Sequence, residues 1–294
     1  MADEDVSFPA THIHEPTADH THTAIMLHGR GSNGPEFAQE FFSMKLSGSH
    51  QSLASRFPGW RWLFPSAGKI WNTTFEEEEP AWFDIASLTD ITRRQDLQMD
   101  GIAKSVHHIL EILEEEVERL ECDETKVVLG GISMGSVIGL WTLLCQNRPS
   151  VRLGAFVGAS GWLPLAAEIE EWFPKEESDP TESTSTSGSE ESEALAFVKS
   201  MIGGRNNQNH EHHSLSTLLR TPVFLGHGTD DAYVDVSLGR QARDVLTKLG
   251  FTVQWREYVG AELEGHWLKA PEEMDDIAAV LEAVEKNGGS GRND

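Results

Sequence analysis

The chain has 294 residues, and its 48 Asp and Glu against 23 Lys and Arg give a formal net charge of −25. Phosphate recognition needs clustered Lys and Arg, so this balance argues against nucleic acid or an anionic membrane surface as a partner. The length suits one large α/β domain, and two cysteines, Cys122 and Cys145, are too few for a disulfide framework, which fits a reducing, cytoplasmic setting.

Residues 1–21 read as an N-terminal extension. MADEDVSFPATHIHEP has neither a basic n-region nor an apolar h-region, and no apolar run in the chain reaches the length of a membrane span. From residue 22 to about 286, strand-like and helix-like segments alternate, which predicts one α/β domain with a mostly parallel central sheet and helices on both faces. The strand expectations are Thr23 to Leu27, Arg61 to Phe64, Lys126 to Leu129, Leu153 to Val157, Pro222 to Leu225 and Thr252 to Tyr258, short and mostly apolar as doubly buried strands are. Helices are expected over about Asp96 to Glu121, Val236 to Leu249 with Gly250 as its stop, and from Pro271 onward, each with apolar residues at spacings of three and four. The tail, 287–294, is expected to fray.

One segment departs from this pattern. Lys175 to Glu193, KEESDPTESTSTSGSEESE, holds seven acids, one lysine and many Ser and Thr, and reads as a disordered insertion. It accounts for −6 of the charge, so −19 belongs to the rest of the chain.

Chemistry concentrates at Gly131-Ile132-Ser133-Met134-Gly135, between an expected strand and an expected helix. This G-x-S-x-G pattern is a nucleophile elbow: glycine two residues either side of the serine lets a strained turn expose the hydroxyl beside a helix N-terminus. Such a serine needs a histidine base and an orienting acid in later loops. His266 follows the strand expected at Thr252 to Tyr258. Asp230, Asp231 and Asp235 all follow the strand expected at Pro222 to Leu225. The oxyanion donors would be the backbone N–H groups of Met134 and of Arg30, the latter in the glycine-rich loop of IMLHGRGSNG. The histidine cluster NHEHH lacks H-E-x-x-H spacing, since Ser214 stands at the second ligand position, so no metal and no other cofactor is expected.

Together LHGRGSNG, PAWFDI, GISMGS, SGWLPL, HGTDDAYVD and EGHW resemble the acyl-protein thioesterase and carboxylesterase family of α/β-hydrolases. The resemblance implies the α/β-hydrolase fold for the domain at 22–286, and its H-G-x-x-D pattern falls on His227, Gly228 and Asp231, which implies Asp231 as the acid. It also implies Trp82, Phe83 and Trp162 as substrate-binding residues near an acyl pocket, with Trp71 and Ile85 in neighbouring segments. The implied substrates are acyl esters or thioesters, among them S-acylated proteins or lysophospholipids. A general short-chain carboxylesterase is one alternative, and a non-catalytic binding or scaffold protein on the same fold is another. Departures from the family pattern are Met134 where Gln is common, Arg30 where Leu is frequent, and Ala232 and Asp235 where prolines are usual.

Overall fold

The computed structural model describes residues 7–72, 76–87, 90–146, 152–173, 187–202 and 217–288. The described strands are β1 (His12–His14), β2 (His22–Leu27), β3 (Trp60–Phe64), β4 (Lys69–Asn72), β5 (Glu77–Pro80), β6 (Val127–Ile132), β7 (Ala155–Ala159), β8 (Val223–Gly228) and β9 (Val253–Tyr258). The described helices are α1 (Gly34–Ser43), α2 (Leu53–Arg56), α3 (Gln98–Arg119), α4 (Met134–Cys145), α5 (Ala166–Glu170), α6 (Ser187–Met201), α7 (Val236–Lys248) and α8 (Glu272–Gly288).

The central sheet runs β1-β3-β2-β6-β7-β8-β9, parallel except for β1, which pairs antiparallel with β3. Alternation along each strand sends successive side chains to opposite faces. Ile25, Leu27, Val127, Leu129 and Leu225 meet α3, α4 and α7 on one face; Ala24, Met26, Val128, Val157 and Phe224 meet α1 and α8 on the other. Both faces are therefore dry, which is why the six parallel strands carry near-continuous apolar runs. The exception is β9 at the edge, where side chains alternate between partly buried and exposed.

Three differences from the sequence reading have physical causes. First, residues ahead of 22 join the sheet: His12–His14 add an edge strand, with His12 opposite Phe64 and His14 opposite Trp62, and Glu15 pairs with Arg61. A strand of three residues with two histidines carries no periodic signal. Second, residues 174–186 of the acidic segment lie outside the described residues, but Ser187 to Glu193 open helix α6 rather than remaining irregular. Ala194, Leu195 and Val198 are buried in the core, so the helix is anchored from its C-terminal half. Third, β4 and β5 form a separate hairpin that includes Glu77 to Glu79, acids in a strand that propensity would not place there. The NHEHH cluster and the tail from 289 also lie outside the described residues.

The sheet continues its hydrogen bonding one residue beyond its strands at the C-terminal end. Ser133 N donates to Ala159 O at 2.9 Å, Ser160 N to Gly226 O at 2.9 Å, and Thr229 N to Tyr258 O at 2.8 Å. The loops that leave β6, β7 and β8 are thus tied rung by rung to the neighbouring strand before they diverge.

Candidate active site

Ser133 sits where β6 turns into α4, with φ 55° and ψ −125°. A non-glycine residue there carries strain of about 1–3 kcal/mol, which must be held by its surroundings. Two contacts hold it: the Ser133 N–H bond to Ala159, and its own carbonyl accepting from Val137 N at 3.1 Å. The glycines around it are a matter of space. A methyl at 131 would lie 2.6 Å from the Gly135 carbonyl carbon and 2.9 Å from Leu27 O, and one at 135 would lie 2.6 Å from His28 O. The helix start and the end of β2 approach too closely for any other side chain.

His266 arrives from the loop after β9 and places Nε2 3.0 Å from Ser133 Oγ. Its Nδ1 lies 2.7 Å from Asp231 Oδ2, in the loop after β8. A carboxylate can only accept, so the network assigns the ring proton to Nδ1 and leaves Nε2 free to accept from the serine hydroxyl. The other Asp231 oxygen, Oδ1, accepts from Tyr233 N at 2.9 Å and Val234 N at 2.8 Å. Burial pushes the Asp231 carboxyl pKa up, but the hydrogen bond and charge of His266 and the two backbone donors outweigh it, and the net shift is downward. Asp230 and Asp235 face elsewhere: Asp230 accepts from Gly260 N, and Asp235 caps α7 through Ser237 N.

Met134 is the first residue of α4, so its N–H has no carbonyl one turn back to bond within the helix. Across from it runs the loop after β2. A methyl on Gly29 would touch Ser133 Cβ at 3.4 Å, and Arg30 lines the same cleft as Ser133, Met134 and His266. His28 fixes this loop. Its Nε2 accepts from Ala67 N at 2.9 Å, its Nδ1 lies 2.6 Å from Gly29 O, and its carbonyl accepts from Trp82 Nε1 at 2.8 Å. Burial lowers the His28 pKa to about 4, so the ring is neutral, with its proton on Nδ1. The Arg30 side chain turns to the hairpin, where Nε donates to Glu79 Oε1 at 2.8 Å, and Asn72 Nδ2 donates to the same oxygen at 2.7 Å. The charge that Arg30 brings to the mouth is thereby balanced by one carboxylate of the acidic run.

The cleft holds about 460 Å³, with Ile85, Ile91, Trp162, Leu263 and Trp267 among its apolar walls. Of the expected substrate-binding residues, Trp162 lines it and Trp82 and Phe83 do not. Trp82 is buried beneath the loop after β2, bonded to His28 O; Phe83 is buried behind the wall, its ring edge-on to Trp162 at 6.1 Å and its backbone against Gly101. Trp71 is exposed on the hairpin. Sequence reasoning missed Tyr233, whose ring lies 5.4 Å from that of His266, and also Leu263, Trp267, Glu36 and Glu40. Adjacency to Asp231 and His266 was an available signal for Tyr233, Leu263 and Trp267. The two glutamates needed the position of α1. Among the described residues no group of three or more His, Cys, Asp or Glu converges on a point that could hold a metal ion.

Comparison with known proteins places the chain in one family. The model of the phospholipase/carboxylesterase family matches residues 9–180. Acyl-protein thioesterase 1 of Yarrowia lipolytica is 27% identical over 257 residues, covering 86% of this chain and 88% of its own. Acyl-protein thioesterase 1 of Gibberella zeae is 26% identical over 269 residues, covering 90% and 91%. The crystal structure of acyl-protein thioesterase 2 of Zea mays superposes with a TM-score of 0.63 at 26% identity, covering 94% of this chain and 98% of the other.

Proposed function

Because this chain belongs to the phospholipase/carboxylesterase family of α/β-hydrolases, we propose that it is a serine hydrolase that cleaves carboxylic esters and thioesters by way of an acyl-serine. The observation that carries the reading is the unbroken hydrogen-bonded line from Ser133 Oγ through His266 to Asp231 at the head of an apolar cleft.

Ser133 Oγ attacks the acyl carbonyl carbon as its proton passes to His266 Nε2. The imidazolium so formed is stabilised by the Asp231 carboxylate at Nδ1, whose own charge is secured by two backbone N–H groups. The negative oxygen of the tetrahedral intermediate is held by the N–H groups of Met134 and Arg30. Its collapse breaks the bond to the alcohol or thiol oxygen or sulfur, which takes the proton from His266. Water then gives a proton to His266 Nε2 and attacks the acyl-serine, and the acid leaves as Ser133 regains its proton. Every step uses side chains and backbone donors of this chain.

Relatives named acyl-protein thioesterases and the apolar cleft support a long-chain thioester, such as an S-acylated protein, as the substrate. The two free cysteines support a reducing, cytoplasmic setting for that work. The test is turnover of matched p-nitrophenyl esters and acyl thioesters from short to long chain, with Ser133→Ala alongside. Loss of activity by a factor on the order of 10⁴ or more in the variant is expected. A preference for short esters over long thioesters would favour a general carboxylesterase. Hydrolysis of no substrate in a Ser133-dependent way would overturn the reading in favour of a binding protein.

A further inference from the structure

His227, at the end of β8, is buried, and its Nε2 faces two acceptors: Val234 O at 2.9 Å and Asp231 Oδ2 at 3.5 Å. A bare nitrogen lone pair there would oppose both oxygens, so Nε2 carries the proton and donates to Val234 O. Burial, the largest influence, lowers the pKa of His227, which leaves the ring neutral and makes Nδ1 an acceptor. Yet Nδ1 is buried with no donor, and so is the hydroxyl of Ser136, one turn into α4. Both line the same small void beneath Trp255, which leaves about 10 Å³ for the centre of a water molecule. That is about the minimum a single buried water needs, and a water at such a site requires at least two polar partners. Glycines keep the space open. A methyl on Gly158 would lie 2.6 Å from Ser136 Oγ, and one on Gly239 would press on His227 Nδ1.

We infer that one ordered water occupies this void, donating to His227 Nδ1 and accepting from Ser136 Oγ–H. It closes a ring of hydrogen bonds. From Ser136 the ring passes through the water to His227, from His227 Nε2 to the carbonyl of Val234, from the N–H of Val234 to Asp231, and through His266 to Ser133, on the same turn of chain where it began. Ser136 and His227 are positioning residues: they fix the loop that presents the acid relative to the helix that presents the nucleophile. Their catalytic weight rests on the proposed roles of Ser133, His266 and Asp231; the water itself does not.

A crystal structure at atomic resolution is expected to show a density peak within hydrogen-bonding distance of both atoms. Nitrogen NMR of the full-length protein is expected to show His227 protonated at Nε2, with an Nδ1 resonance shifted as for a hydrogen-bonded acceptor. In Ser136→Ala that resonance moves toward the value of an unbonded acceptor, and kcat falls roughly fivefold with KM unchanged, the kinetic equivalent of one neutral hydrogen bond. An empty void, a direct bond between Ser136 and His227, or a proton on Nδ1 would each overturn the proposal. Density and nitrogen shifts are read without substrate, so an inactive protein that kept both would sink the hydrolase reading and leave the water standing.

Discussion

Replacing Asp231 by Asn separates charge from shape. The asparagine has two orientations. With its carbonyl toward His266 it preserves the Nδ1–H tautomer but turns its NH₂ against the N–H groups of Tyr233 and Val234, two conflicts between donors where the wild type has bonds of 2.9 and 2.8 Å. Each such unsatisfied pair costs about 1–3 kcal/mol. Flipped, it keeps both backbone bonds and donates its NH₂ to His266 Nδ1, which moves the ring proton to Nε2, the atom that should accept from Ser133. The flipped form satisfies more groups and therefore prevails, and it holds the wrong tautomer. The expected result is a fall in kcat of about 10⁴, near 5.5 kcal/mol in the barrier, with the fold retained. Initial rates on a p-nitrophenyl ester and a far-ultraviolet circular dichroism melt measure the two quantities. Asp230→Asn is the matched control, because an amide oxygen can still accept from Gly260 N. An Asp231→Asn enzyme within tenfold of wild type, or a larger loss in the Asp230 variant, would refute this reasoning.

Gly135→Ala should lower the Tm by several degrees or abolish soluble expression, since the methyl meets the backbone of Leu27 and His28 rather than a side chain that could move; an unchanged melt would show that the crowding is not real. Arg30→Ala should leave kcat within about threefold, because the proposed donor is the backbone N–H and the partly exposed pair with Glu79 contributes about 0–1 kcal/mol; a hundredfold loss would mean that the side chain acts in the chemistry. Glu273 is buried on α8, and burial raises its pKa to about 8. Its folded value lies above its unfolded one, so its stabilising share is whole below about 4.5 and is lost as pH rises toward 8. Glu273→Gln should therefore raise the Tm more at pH 9 than at pH 5, and equal shifts at both would contradict the assignment. For Asp231 the sign is reversed: its contribution is present above the ordinary 3.8 and disappears as acid takes the pH down through its lowered folded value. The melting curve of Asp231→Asn should accordingly depend less on pH below 4 than that of the wild type.

What the sequence disclosed was what two-sided burial imprints on it. The parallel strands stood out because most of them carry apolar residues on both faces, and α3 and α7 because one stripe packs and the other is wet. The elbow was legible because its two glycines answer a clash with Leu27, Gly135 and His28 that any side chain would cause. Choosing among Asp230, Asp231 and Asp235 was beyond spacing and chemistry, since all three leave the same strand; the H-G-x-x-D resemblance pointed to Asp231, and it is Asp231 that turns to His266. The cleft wall was least accessible. Trp82, Phe83 and Trp162 look alike as aromatic residues outside the regular elements, yet one lines the cleft and two form the layer behind it. Helix α1 left a trace that went unread: Asn33 as its cap, Pro35 in its first turn, and Phe37 and Phe41 four apart on its buried face.

The rungs that extend the sheet past β6, β7 and β8 bear on how this molecule would fail on heating. Ser133 is bonded into the end of β7, and the first residues beyond β7 and β8 are bonded into β8 and β9, so the serine and the start of the loop that carries Asp231 hang from the cooperative core, whereas His266 lies on the loop beyond the edge strand β9. Segments tied into the core in that way open only with the domain as a whole. Amide protons of Ser133, Ser160 and Thr229 are therefore expected in the slowest-exchanging class, and any loss of turnover ahead of global melting is expected to start at the loop that carries His266.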